Sequence, residues 1–126
     1  MSVFAPIDIE DVLRSELTSE TLSVYAPPIP NPLPVPSARV RRTGGVKNSL
    51  VVDGSNVVID VWAETDAEAM AYANKLLGDL YMMQFTHDKI HQVVTVSLPY
   101  QNNDPQHPDL CRAAFMVQVF ATSERS

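Results

Sequence analysis

The stretch Asn56–Tyr81, NVVIDVWAETDAEAMAYANKLLGDLY, constrains the fold more than any other part of the chain. In an extended Asn56–Ala63 segment, Val57, Ile59 and Val61 share one face, with Val58, Asp60 and Trp62 on the other. Five of those six residues are apolar, which predicts an inner strand covered on both faces. The chain then turns at Glu64-Thr65. Thr65 with Glu68 three residues on has the form of a capping box, which satisfies orphan amides where a helix begins. Beyond it Ala69, Met70, Ala73, Leu76, Leu77 and Leu80 recur at helical spacing, while the charged residues lie mostly elsewhere. A strand feeding directly into a helix that packs back on its own sheet is the predicted centre of the domain.

The flanks extend this unit. Ile7 to about Ser19 reads as a first helix with Asp8 as N-cap and an Ile7–Val12 staple. Ile9, Val12, Leu13 and Leu17 form its apolar stripe, and Asp8, Glu10 and Asp11 suit the positive end of its dipole. Segment 26–37, APPIPNPLPVPS, holds six prolines and reads as extended, partly polyproline II chain. It is expected to be a rigid connector or an arm reaching a neighbouring subunit. As an SH3-type ligand it lacks flanking Arg or Lys. A short strand is predicted at Ser37–Arg42, ended by Thr43-Gly44-Gly45, and Leu50–Asp53 is predicted to form a hairpin through an Asp53-Gly54 turn. Val93–Tyr100 and Ala113–Ala121 read as strands, the latter with Phe115, Val117 and Val119 inward. Segment 101–110 is a polar loop by composition, and Thr122–Ser126 is expected to fray.

At 126 residues the chain forms one domain with room for a real core. A net charge of −6 argues against general nucleic-acid binding, which needs a Lys/Arg surplus, but leaves room for a local basic patch. Cys111 is the only cysteine, so no intrachain disulfide forms and a reducing compartment is expected. The first residues lack the pattern of a signal peptide, and no apolar run approaches the roughly 20 residues of a membrane span, so the expectation is a soluble domain made in the cytoplasm.

Arg39, Arg41, Arg42 and Lys47 concentrate four of the nine basic residues within nine positions, a local positive patch that suits phosphate or an acidic protein surface. His87 and His91 would share a face if helical, but without a third ligand they do not make a zinc site. Asp104, His107, Asp109 and Cys111 match no known site geometry in their spacing and are expected to be solvated turn residues. No glycine-rich phosphate loop, nucleophile elbow, HExxH or CxxC motif is present. The expectation is no enzyme, no cofactor and no metal.

The order of these parts, with the segments PLPVPSARVRRTGG and VVIDVWAETDAEAMAYANKLLGDL, Pro108-Asp109 and the closing strand Arg112–Ala121, resembles the tail terminator (tail completion) proteins of long-tailed bacteriophages. The likeness covers most of the chain and rests on order and spacing. It implies an α+β fold: an α/β sandwich with a mixed, mostly antiparallel sheet of about four or five strands packed by two helices. It also implies a homo-hexameric ring that caps the tail tube, stops its polymerisation and joins the head completion or stopper protein, with genome DNA passing through the lumen without sequence-specific binding. Partners are then further copies of the chain, the tail-tube protein and the head completion protein, with no membrane. The place is the head-proximal end of the virion tail. Arg39, Arg41, Arg42 and Lys47 are the candidates for an interface or lumen surface. The longer polar loop at 101–109 and Cys111 depart from the family pattern. The alternatives are another head–tail connector or stopper or a minor tail protein, and then a small-molecule binding α/β module.

Overall fold

The computed structural model describes residues 4–5, 8–47, 52–122 and 124–125. In chain order the elements are β1 (Phe4–Ala5), α1 (Ile9–Leu17), β2 (Ser23–Tyr25), β3 (Ser37–Lys47), β4 (Val52–Ala63), α2 (Asp66–Thr86), β5 (Ile90–Gln101), β6 (Cys111–Thr122) and β7 (Glu124–Arg125). Five strands form one sheet in the order β2-β3-β4-β6-β5. β2 pairs parallel with β3, and every other neighbouring pair is antiparallel. The result is the expected α+β fold, a mixed and mostly antiparallel sheet with two helices.

The predicted strand–helix unit is its centre. β4 and β5 point the same way with β6 between them, and α2 makes the long connection that such a pair requires. One face of the sheet is sealed by both helices. Val57, Ile59 and Val61 of β4 and Phe115, Val117 and Val119 of β6 meet Leu76 and Leu80 of α2 and Ile9 and Leu13 of α1 in one buried cluster. Each such side chain contributes about 1.5–3 kcal/mol of burial free energy. Both helix starts form as the sequence predicts. Asp8 accepts from the Asp11 N–H at 3.2 Å, and Thr65 Oγ1 accepts from the Glu68 N–H at 3.2 Å.

Several expectations are corrected. β3 does not end at its glycines: it continues to Lys47, with a register shift between Arg42 and Gly44. Gly44 and Gly45 take φ of 138° and 152°, and a Cβ on Gly45 would collide with the Gly54 carbonyl while lying 2.9 Å from Ser55 Cα. Glycine here lets two strands approach through a bulge instead of breaking the ladder. Asp53-Gly54 is not a turn, because both residues lie inside β4, opposite Lys47 and Val46. The start of the predicted Leu50–Asp53 strand falls outside the described residues, as does Ile7 with its staple. α2 runs past Tyr81 to Thr86, so His87 caps a helix and His91 sits on a strand; the two do not share a helical face. Glu124–Arg125 pairs with Phe4–Ala5, so this part of the tail is held in a small ribbon instead of fraying.

The Pro-rich segment is a connection more than an arm. It carries the chain from the end of β2 back to the start of β3, which lie side by side in parallel, Ser23 opposite Ser37. It bends repeatedly instead of running straight, and lies beside the 101–110 loop, with which it shares a crevice of about 330 Å³.

Candidate functional site

The face of the sheet turned away from the helices carries charged residues and a buried tryptophan. Alternation puts Arg39 and Arg41 of β3, Val58, Asp60 and Trp62 of β4, and Arg112, Ala114 and Met116 of β6 on this side, in register rows across the strands. Trp62, although fully buried, is absent from the cluster under the helices. What covers it is the 101–110 loop.

The covering is polar and specific. Trp62 Nε1 donates to Asp104 Oδ2 at 3.1 Å, and the His107 ring meets the indole edge-on, 6.1 Å between centroids. The guanidinium groups of Arg39 and Arg112 stand 5.3 and 5.8 Å from the indole centroid, within cation–π range. Asp104 also accepts from His107 Nδ1 at 2.7 Å and from the Gln106 N–H at 3.0 Å, the second contact making an Asx turn. Arg112 Nε donates to the Asn102 carbonyl at 2.6 Å, which ties the loop's first residues to β6. Burial pushes the Asp104 carboxyl up, but the bonds from His107, Gln106 and Trp62, with the nearby Arg112 charge, outweigh it and hold the carboxyl below its ordinary value. Asp104 and His107 are therefore not solvated turn residues, as their spacing suggested; they clamp a loop onto a buried tryptophan. The sequence signal was present in the isolated Trp62 on the second face of the strand, which needed a partner for its N–H.

Other ionisable side chains lie next to the clamp. Beside it Asp66, Asp104, Asp109 and Cys111 border an open depression of about 390 Å³. Cys111 Sγ donates weakly to the Glu64 carbonyl, and a hydrogen bond to Asp66, with some burial and the Asp66 charge, pushes its thiol up, away from the reactive thiolate. Among the described residues no three His, Cys, Asp or Glu side chains come together as a metal set. His87 lies 3.7 Å from Glu16 and His91 bonds to Thr122 Oγ1, so the two histidines serve different contacts.

The basic residues separate as well. Arg39 Nη2 and Nε both reach Asp60 Oδ2, at 2.6 and 3.1 Å, so its charge is neutralised in a largely buried pair. Arg42 Nε donates to Ser55 Oγ at 3.1 Å, and the Arg42 backbone N–H donates to Glu10 at 2.9 Å. Arg41 is exposed and has no hydrogen-bond or ion-pair partner among the described residues. Lys47 closes β3, and its side chain lies outside what the structure describes. The predicted patch therefore offers Arg41 and Arg42 outward, not Arg39.

The other departure from a self-contained domain is apolar. Val94, Val96, Leu98 and Tyr100, alternating along the edge strand β5, are 39%, 57%, 69% and 49% exposed. On α2, Met82 and Phe85 are 56% and 78% exposed. The free edge of β5 is itself blunted: Gln84 Oε1 accepts from the Val93 N–H, and the strand is irregular at three points in its register with β6. The apolar side chains, not the backbone edge, are what this region presents. No helix among the described residues is long and apolar enough to cross a membrane, so these side chains are not explained by a helical span. No family model and no curated protein matches the chain.

Proposed function

We propose that the chain is a structural virion protein, a tail terminator of a long-tailed bacteriophage that works without catalysis. Six copies form a ring on the last layer of the tail tube, stop its polymerisation and present the surface that the head completion or stopper protein joins. Genome DNA passes through the lumen without sequence-specific contacts. The observation that carries the reading is the row of exposed apolar side chains on β5 in a domain whose other sheet face is fully packed. A monomer gains nothing from four such residues in one row, whereas a subunit buries them on assembly. The order of helix, Pro-rich connection, basic strand and strand–helix unit, which resembles the terminator pattern, supplies the rest of the support.

Within this reading Arg41 and Arg42 are the cations that face the lumen or a partner, with Arg39 serving the interior of its own subunit. The test is to add the purified chain to polymerising tail-tube protein and measure tube length by electron microscopy. Short, uniform tubes with a six-fold cap at one end are expected. Tubes that grow to the same length distribution with and without the chain, and no density at either end, overturn the reading. A stopper differs in binding the portal side; binding to head connectors but not to tubes would transfer the assignment to that class.

A further inference from the structure

We propose that the crevice between the Pro-rich connection and the 101–110 loop binds the cationic end of an arginine or lysine side chain, with His107 Nε2 and Asp109 as its acceptors. This site goes beyond the assembly reading and does not depend on it. Two hollows of about 250 and 330 Å³ adjoin there, sharing Asn31, Gln106 and His107. The clamp sets the state of the His107 ring. Asp104 Oδ2 lies 2.7 Å from Nδ1. The same carboxyl accepts from Trp62 Nε1–H and from the Gln106 N–H, with the Arg112 guanidinium 3.7 Å away. Those contacts hold it ionised. An ionised carboxylate only accepts, so Nδ1 carries the proton and the neutral ring keeps a lone pair on Nε2. Nε2 has no hydrogen-bond partner among the described residues. The edge-on contact with Trp62 fixes the plane of the ring.

The walls around that lone pair are short of donors. Pro105 and Pro108 have no N–H. The N–H groups of Gln106, His107 and Leu110 are spent inside the loop, on Asp104 Oδ1, the Asp104 carbonyl and the His107 carbonyl. Across the crevice Pro30 and Pro32 have none either. Asp109 brings an exposed carboxylate, and among the described residues no Lys or Arg lines either hollow. The side-chain amides of Asn31 and Gln106 can each turn an oxygen towards a ligand. Such a site repels an anion and suits a cation with several N–H groups. Its apolar wall decides which cation. Pro32, Leu33 and Leu110 line the larger hollow, a surface for the methylene stem of Arg or Lys more than for a bare ammonium ion. The net charge of −6 favours the approach of such a group.

The experiment follows the histidine ring nitrogens of the full chain by long-range proton–nitrogen NMR at about pH 8, where an ordinary imidazole is neutral. His107 is expected to carry its proton on Nδ1. Butylguanidinium chloride, which mimics an arginine side chain, is expected to shift the His107 Nε2 signal saturably, and sodium chloride at equal ionic strength is not. Asp109→Asn, a change on an exposed side chain, is expected to weaken the binding by roughly two- to fivefold with an unchanged thermal melt. Asp104→Asn is expected to release the ring to the Nε2–H form and to abolish the saturable shift; should that variant fail to fold, Asp109→Asn still decides. Tighter binding of the tripeptide Gly-Arg-Gly than of butylguanidinium assigns the site to a protein partner's side chain, and equal binding assigns it to a small cation; both uphold the site. A native His107 ring protonated on Nε2, a shift that follows salt alone, equal binding by native chain and Asp109→Asn, or saturable binding of acetate in place of the cation overturns it. None of these outcomes bears on tube length, by which the terminator reading is tested.

Discussion

The two faces of the central sheet use the same strands to opposite ends. On the helix side, β4 and β6 offer Val57, Ile59, Val61, Phe115, Val117 and Val119, and two helices of the same chain cover them completely. On the other side the cover is uneven. Trp62 is shut under a polar clamp, while the β5 stripe is left in the open. The first face needs only volume and hydrophobicity, which any amphipathic helix supplies. The second depends on individual hydrogen bonds over Trp62 and, beyond β6, stays exposed. Helices of the chain cover one face of the sheet, while the other combines charged residues, a loop and an exposed apolar stripe.

The largest expected contrast is between a leucine on each side. Leu80→Ala, under the sheet, is expected to lower the unfolding free energy by about 2–5 kcal/mol, read from urea denaturation. Leu98→Ala, on the open face, is expected to change monomer stability by less than about 0.5 kcal/mol. Equal effects would mean that the β5 stripe is covered within the subunit, and would break the comparison.

Asp104→Asn probes the clamp. Loss of the charged acceptor for Trp62 and His107 is expected to cost about 1–3 kcal/mol near neutral pH. The folded carboxyl titrates below its ordinary value, so its stabilisation is present above the ordinary carboxyl pKa and is lost as pH falls through the folded one. The native chain should therefore lose stability on acidification more steeply than Asp104→Asn. Parallel acid limbs would show that Asp104 carries no such linkage. Trp62 fluorescence reports whether the loop has lifted.

Gly45→Ala acts on the register that keeps the two faces distinct. At φ of 152° and pressed against the Gly54 carbonyl, an alanine is expected to cost more than about 1 kcal/mol and to disturb amide signals along β3 and β4. An alanine tolerated there without change would mean that the bulge relaxes freely. The smallest effect is expected at the other glycine of the comparison. Gly78→Ala on the open side of α2 should stabilise the monomer by about 0.5–1 kcal/mol, since the helix gains propensity and nothing is displaced.

What could be read from the sequence was local or periodic. The capping position Thr65, the helical recurrence from Ala69 to Leu80, the Asp8 cap and the inward alternation of Phe115, Val117 and Val119 all fixed structure within a few residues of themselves. What the sequence left ambiguous depended on partners far along the chain. Gly44-Gly45 looks like the end of a strand until β4 lies against it, and Asp53-Gly54 looks like a turn until β6 pairs with it from the other side. Asp104 and His107 look like solvated loop residues until the loop closes over Trp62, 42 residues before Asp104 in the chain. Periodicity assigns Val94, Val96 and Leu98 to a common face, but only the position of β5 at the sheet edge, with α2 on its other side, decided that this face is open. The sequence determined which segments form strands and helices because backbone propensity and side-chain spacing act locally. The tertiary structure alone decided which polar groups are buried and which apolar ones are not, because burial belongs to pairs of distant segments and to neither one by itself.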